Sequence, residues 1–267
     1  MIVGIFHSGS GCGNQLFRYI ATRVLALDYK TLFSMVAPEL FKGSSFMKLD
    51  MGEKNDQLGA YTVEEKTGKV IPNLYRDGKF PLWEEKTNYY NPEFNFLYQD
   101  PYTLFTYIDG EFQDERYFGH RLKEVNEWLK VEPIDIPDDT CVIGFRGGEY
   151  ALFPDLFLPK NYWQRGIEKM RGVNPAMKFE VHTDDEKLAF NFFSEILSWP
   201  DFKVIHDIGI NWRSVRSAKY AIIANSSFYI IPRLLNGGMT IAPHYWAGYN
   251  RKEWSMPQNY YSKFDYI

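Results

Sequence analysis

Cys141-Val142-Ile143-Gly144-Phe145-Arg146-Gly147-Gly148-Glu149-Tyr150 opens the half of the chain whose fold is easiest to read. Cys141 to Phe145 is an apolar run of strand length, the kind buried on both faces, and it stops at an arginine and two glycines. Lys160 to Arg171 follows as a helix and Lys178 to His182 as a strand. Asp185 to Leu197 is then a helix with Leu188, Phe192 and Ile196 inward. Phe202 to Ile205, Tyr220 to Ala224 and Met239 to Ala242 read as strands, separated by helices at Trp212 to Ser217 and Ser227 to Leu235. Strands alternating with helices of this length predict an α/β fold with a parallel, doubly wound sheet. Ligands in such sheets sit beyond the carboxyl ends of the strands.

Upstream of this half, Val131 to Asp139 holds Pro133, Pro137 and four acidic residues, which places a domain junction there. The chain divides at this point into residues 1–133 and 134–267. Ile2 to Phe6 is a short apolar strand that runs into His7-Ser8-Gly9-Ser10-Gly11-Cys12-Gly13. Phe17, Ile20, Ala21, Val24 and Leu27 then recur at helical spacing. Thr31 to Val36 and Tyr102 to Ile108 read as strands and Arg116 to Lys130 as a helix. Residues 38–100 yield no assigned element, yet they are too apolar for a disordered segment, with aromatics dense from Tyr89 to Phe96.

Composition narrows the class. The 267 residues are 45% hydrophobic and 24% charged, ordinary globular values that exclude collagen, coiled coil and disorder. A net charge of −4 excludes a protein-wide attraction for nucleic acid but leaves room for a local basic cleft. Aromatic residues make up 18%, enough either to fill cores or to stack on sugars and bases. Cys12 and Cys141 are too few for a disulfide framework and read as free thiols. No apolar stretch approaches the roughly 18 residues of a membrane span, and the amino terminus reads as a strand rather than a signal peptide. The expected location is the cytoplasm.

Four loops carry the chemistry, each with a structural alternative. In Gly9-Ser10-Gly11-Cys12-Gly13-Asn14 the third glycine of a dinucleotide fingerprint is replaced by Asn14, and no Gly-Lys-Ser/Thr follows. What remains is a strand-to-helix turn with bare N–H groups, suited to an anion or simply to tight packing. Arg146, just past a strand end and before two glycines, can aim a guanidinium at phosphate oxygens or make a surface salt bridge. His182-Thr183-Asp184-Asp185 offers acceptors for a base or ribose, or a helix cap. Ala224-Asn225-Ser226-Ser227-Phe228 offers a second phosphate cradle, or an N-cap. Four such loops at one sheet edge make a stronger pattern than any of them alone. His7, His120, His182, His206 and His244 show no ligand spacing, no Asp-x-Asp occurs, and no G-x-S-x-G is present.

Several segments together resemble glycosyltransferase family 11, the α-1,2-fucosyltransferases. Gly11-Cys12-Gly13-Asn14-Gln15-Leu16-Phe17 is similar to that family's Gly-Leu-Gly-Asn-Gln opening. Gly110-Glu111-Phe112-Gln113-Asp114-Glu115-Arg116-Tyr117-Phe118 is similar to its Gly-Tyr-Phe-Gln-Ser-Glu-Lys-Tyr-Phe. Leu158 to Trp163, Phe179 to Asp185, Ile223 to Phe228 and Ile241 to Trp246 follow in family order. The resemblance implies a GT-B fold, two Rossmann-like domains facing across a cleft. It implies residues 1–133 on the acceptor side and 134–267 as the nucleotide-sugar-binding domain. It also implies inverting transfer of fucose from GDP-fucose to a glycan hydroxyl, with no metal and no other cofactor.

Carried over residue by residue, the resemblance implies donor contacts from Gly11, Gly13, Asn14, Arg146, His182, Asp184, Asp185, Asn225, Ser226, Ser227 and Phe228. Arg146 and the helix start at Ser226-Ser227 would stabilise the leaving diphosphate, and Asn14 would position donor or acceptor. Glu149 is the candidate carboxylate for the acceptor proton, with Asp155 in reserve. The family's His-x-Arg-Arg-Gly-Asp-Tyr stands here as Gly144-Phe145-Arg146-Gly147-Gly148-Glu149-Tyr150, so a histidine and a second arginine have become glycines. That change keeps two alternatives open: a transferase using another nucleotide-linked hexose, and a non-catalytic protein that binds nucleotide or glycan. A dehydrogenase ranks third, because Asn14 breaks the fingerprint.

Overall fold

The computed structural model describes residues 1–54, 61–64, 69–72, 95–99, 105–198, 201–254 and 260–267. Most of the aromatic stretch from Tyr89 to Phe96 lies outside them. The chain forms two compact units, Met1–Lys130 and Val131–Ile267.

In the first unit, β1 (Ile2–Ile5) leads into α1 (Cys12–Asp28) and returns as β2 (Phe33–Val36). A hairpin follows from β3 (Tyr61–Glu64) and β4 (Lys69–Pro72), then β5 (Asn95–Gln99) and β6 (Thr106–Gly110). The main sheet has the order β2-β1-β6-β5, with β1 parallel to both neighbours and β5 antiparallel at the edge. β1 is central, which is why all four of its residues are buried. The apolar stripe of α1 packs on it through Leu16, Phe17, Ile20, Val24 and Leu25. The helix expected over Arg116 to Lys130 is broken into two single 3-10 turns and a short α2 (Leu122–Trp128). Asp114 starts the first turn: its carboxylate accepts from the Arg116 N–H at 2.9 Å and pairs with that guanidinium, which favours a turn over a continuing helix.

The second unit is fully parallel. β7 (Thr140–Phe145), α3 (Lys160–Val173), β8 (Lys178–Thr183), α4 (Glu186–Ser194) and β9 (Phe202–Ile205) build one half. α5 (Ile208–Ser217), β10 (Tyr220–Ile223), α6 (Ser227–Asn236), β11 (Met239–Ala242) and the two-residue β12 (Asp265–Tyr266) build the other. The sheet order is β12-β11-β10-β7-β8-β9. From β7 the chain winds outward in one direction and from β10 in the other, so the switch point lies between those two strands. The doubly wound expectation holds. β12 extends it by a strand too short to show periodicity.

Much of the aromatic content is core. Phe145, at the end of β7, meets Trp163, Phe192 and Phe193 at ring-centroid distances of 5.5, 5.2 and 5.2 Å. Such pairs add about 0.5–1.5 kcal/mol each beyond their area. On α4 the buried stripe is Ala189, Phe192 and Phe193, a slight rotation from the Leu188, Phe192 and Ile196 face expected. Asp185 and Asp207 cap α4 and α5, accepting from the N–H groups of Leu188 at 2.9 Å and Ile210 at 2.7 Å. Arg233 on α6 is completely buried. It donates to Thr240 Oγ1 and to the carbonyls of Val215, Ala218 and Met239 at 2.7–3.1 Å, stitching α5, α6 and β11 together.

Candidate active site

In the second unit, the carboxyl ends of β10, β7 and β8 lie side by side, and three of the four loops singled out in the sequence leave from them. Arg146 follows β7 directly. Its Nη1 donates to Asp184 Oδ2 from the β8 loop, and its Nη2 lies 3.2 Å from Glu149 Oε1. Asp184 Oδ1 also accepts the Gly147 N–H at 2.9 Å. The guanidinium carbon stands 5.3 Å from the centre of the Tyr150 ring, a cation–π contact. Tyr150 in turn reaches the Asn225 carbonyl at 3.5 Å, linking the loops after β7 and β10 across the switch point. Burial, more than any charge, raises the Tyr150 hydroxyl above its ordinary pKa.

Two glycines here are imposed by their surroundings. A Cβ at Gly148 would strike the Asp184 carboxylate. A Cβ at Gly144 would lie 2.9 Å from ring carbons of Tyr229. Tyr229 lies on α6, is buried, and directs its hydroxyl at the carbonyls of Phe145 and His182, 3.2 and 3.1 Å away. The place a larger side chain would take at position 144 is therefore filled by an aromatic ring from the facing helix.

The loop after β10 leads into α6. Ser226 is the N-cap residue, but its side chain makes no capping bond. Among the described residues no side chain caps this helix, so its first N–H groups and the positive end of its dipole are available to an anion. Asn225 is buried, with Nδ2 donating to the Leu156 carbonyl at 2.9 Å while Oδ1 has no protein partner.

The remaining expected residues fall as follows. His182 is fully enclosed: Nδ1 lies 3.0 Å from Asn211 Oδ1 and Nε2 3.5 Å from Glu180, on the inner side of β8. Asp185 is occupied in capping α4. Glu149 is largely exposed. Asp155 is exposed too, 3.4 Å from Arg251. The structure thus joins Arg146, Glu149 and Asp184 directly, and sets Asn225 and Ser226 at the adjacent strand end.

The first unit has its own cluster at the carboxyl edge of β1 and β6, two parallel neighbours. His7 Nε2 lies 3.0 Å from both oxygens of Asp109, and Arg18 Nε lies 3.0 Å from Oδ1. This ion pair is why Arg18 is tolerated on the buried face of α1. Gly11 sits at the start of α1 and Gly13 in its first turn. Gln15 clasps the chain near residue 41, donating to the Leu40 carbonyl at 2.8 Å and accepting the Lys42 N–H at 2.9 Å. Asn14 Oδ1 accepts from Gln113 Nε2 at 3.0 Å, and the same nitrogen lies 2.9 Å from Glu111 Oε2. Sequence reasoning missed His7, Asp109 and Arg18. The signal available was their position, since His7 lies two residues past β1 and Asp109 is the second-to-last residue of β6.

The fold and site define an α/β protein of two Rossmann-like units, the second with an arginine and an uncapped helix start at its switch point. No protein-family model matches the chain, and no curated protein matches it. Solved structures similar in fold include the NodZ alpha-1,6-fucosyltransferase co-crystallized with GDP: 12% identity, TM-score 0.49, covering 88% of this chain and 91% of that one. The E. coli heptosyltransferase WaaC with ADP shares 10% identity at a TM-score of 0.44, over 91% and 87% of the two chains. A family 9 glycosyl transferase from Veillonella parvula DSM 2008 shares 11% at 0.48, over 100% and 86%. At these scores neither a residue role nor an activity passes from them to this chain. Among the described residues no helix is long and apolar enough to cross a membrane.

Proposed function

We propose that the chain is a glycosyltransferase of GT-B type that transfers fucose from GDP-fucose to a sugar hydroxyl, its second unit holding the donor. One observation carries this reading. At the switch point of the second sheet, the Arg146 guanidinium and the uncapped start of α6 stand at adjacent strand ends, where an anionic leaving group needs them. The order of the family 11 segments supplies the substrate class, and Asn225 Oδ1 is a buried acceptor ready for a ligand donor.

When the bond between sugar and phosphate breaks, negative charge grows on the diphosphate and positive charge on the anomeric carbon. Arg146 answers the first with charge-assisted hydrogen bonds, and the α6 dipole adds a fixed partial positive charge. Asp184 and Glu149 hold the guanidinium before a ligand arrives, and Asp184 sets the loop by accepting the Gly147 N–H. The chain carries no Asp-x-Asp, in keeping with leaving-group stabilisation by cationic side chain and helix dipole.

The carboxylates around Arg146, and glycines where the family pattern has His and Arg, favour one second reading: a donor other than GDP-fucose. Thermal shift against GDP-, UDP- and CMP-sugars, followed by mass-spectrometric detection of transfer to a set of galactosides, decides between them. Stabilisation by GDP and a mass gain of one deoxyhexose from GDP-fucose are the expected results. Stabilisation and transfer with a different nucleotide sugar would select the second reading, and GDP binding with no transfer would mark a binding protein.

A further inference from the structure

At the end of β10, beside the start of α6, Asn225 offers a group that a diphosphate cannot use. We propose that Asn225 is the residue by which the second unit demands a sugar hydroxyl close to the bound diphosphate, its Oδ1 accepting the hydrogen of that hydroxyl. This rests on the donor-site reading above, and every residue it uses lies in Val131–Ile267.

The surroundings fix which way the Asn225 amide faces. Nδ2 donates to the Leu156 carbonyl at 2.9 Å, and a carbonyl can be met only by the NH2 branch, so Oδ1 occupies the other. The backbone is held as well. The Ser226 N–H reaches back across Asn225 to the Ala224 carbonyl at 2.8 Å, closing a three-residue turn. The Ala224 N–H donates to the Gly144 carbonyl of β7 at 2.8 Å, and the Tyr150 hydroxyl lies 3.5 Å from the Asn225 carbonyl. Oδ1 is what this arrangement leaves over. Asn225 is 3% exposed, and among the described residues no donor meets that oxygen. A buried acceptor without a hydrogen is a standing cost that a ligand hydrogen removes.

What stands beside Oδ1 defines the ligand. Ser226 is the N-cap of α6 and Ser227 its first residue. Consecutive Cα atoms lie about 3.8 Å apart, so the acceptor and the helix start address neighbouring atoms of one ligand. The two make opposite demands. The helix start favours negative charge, whereas Oδ1 carries partial negative charge and needs a hydrogen. The diphosphate of a nucleotide sugar is fully ionised and has no hydrogen to give. A ligand that satisfies both groups therefore carries an O–H a few bonds from its anionic oxygens. A nucleotide sugar has such hydroxyls on either side of the diphosphate: those of the ribose, and the one on C2 of the transferred sugar, next to the anomeric carbon. The base is a whole ribose further away.

Burial makes the demand selective. A ligand without the hydroxyl leaves Oδ1 orphaned beneath it, and a site built to pair with a hydroxyl discriminates strongly against an analogue that lacks it.

Titration calorimetry on the full chain, wild type and Asn225→Ala, tests this with GDP, 2′-deoxy-GDP, 3′-deoxy-GDP, GDP-fucose and GDP-2-deoxy-2-fluorofucose. The last replaces the C2 hydroxyl by fluorine, which has no hydrogen to donate. In the wild type, loss of the recognised hydroxyl is expected to weaken binding by about tenfold. In Asn225→Ala the same loss is expected to change binding by less than about twofold, a coupling that a residue merely shaping the loop does not produce. Coupling with a deoxy-GDP identifies a ribose hydroxyl, and coupling with the fluoro analogue identifies the transferred sugar. The wild-type comparison needs no variant to fold. Wild type that binds all the analogues within about twofold of their parents, or equal losses in wild type and Asn225→Ala, overturns the assignment and leaves the donor site standing. Wild type that binds neither GDP nor GDP-fucose overturns the donor-site reading, and the assignment with it.

Discussion

Arg146 and Asp184 lie 38 positions apart in sequence and meet as an ion pair at the ends of two neighbouring strands, β7 and β8. Glu149 completes the set, so before any ligand binds the guanidinium is shared by two carboxylates. If the proposed donor binds here, its diphosphate competes with them.

That competition has a sign. Glu149→Gln removes the more exposed carboxylate, and an exposed pair is worth about 0.2–1 kcal/mol, so GDP is expected to bind up to about fivefold more tightly. Arg146→Ala removes charge-assisted bonds of about 1.5–3 kcal/mol and should weaken GDP by roughly 10- to 150-fold. Titration calorimetry with GDP reads both. Weaker binding in Glu149→Gln would show that Glu149 itself faces the ligand.

Gly144 is held by Tyr229. Gly144→Ala puts a methyl 2.9 Å from that ring, and overpacking of this kind costs about 1–3 kcal/mol. Tyr229→Phe keeps the ring and should not relieve the strain, whereas Tyr229→Leu in the same background should recover part of it. Denaturant unfolding of the single and double variants gives the coupling.

Both thiols are buried and protected. Burial raises the Cys12 pKa from 9.0 to about 12, against a small opposing effect of Lys42, and raises Cys141 further still. Each folded pKa lies above its unfolded value, so the contribution to stability is complete below pH 9 and is lost as pH rises toward the folded pKa. At pH 10 the loss is about 1.4 kcal/mol per thiol, because the unfolded thiolate is then favoured about tenfold. Urea unfolding at pH 8 and pH 10 should show a larger decline in the wild type than in Cys12→Ala/Cys141→Ala, the remainder coming from buried tyrosines such as Tyr19, whose hydroxyl burial raises as well. Iodoacetamide should leave both thiols of the native chain unmodified.

Arg233 is a structural cation that pairs with no carboxylate among the described residues. Burial lowers its pKa from 12.5 to about 10, yet four acceptors keep it satisfied. Arg233→Met leaves the carbonyls of Val215, Ala218 and Met239 without this donor, and a destabilisation of about 3–5 kcal/mol is expected in equilibrium unfolding. Destabilisation under 1 kcal/mol would mean that water or a neighbour replaces the guanidinium.

The second unit was legible almost throughout, because its central strands β7 and β10 are apolar runs almost wholly buried and its helices repeat with their own period. Residues 116–130 were less so: the stripe there is helical in spacing, but the Asp114–Arg116 contact favours turns. Site loops were legible as loops. Arg146, Ser226 and Asp184 stand at strand ends, which a linear reading can locate. The reading did not show that His182 turns inward to Asn211, that Asp185 is taken up as a cap, or that His7, Arg18 and Asp109 form one cluster.

Read alone, the sequence determined most of the succession of strands and helices in the second unit and which of its loops lie at strand ends. All of these follow from local periodicity and from where apolar runs stop. Tertiary structure alone decided which of those residues meet. Asn14 and Gln113 are 99 residues apart, and their 3.0 Å contact exists because β1 and β6 pair in parallel. Arg146 finds Asp184 on one side and the α6 start on the other because β7 lies between β8 and β10. Strand order is a property of the whole sheet, set by burial summed over every helix and strand, and no local pattern encodes it.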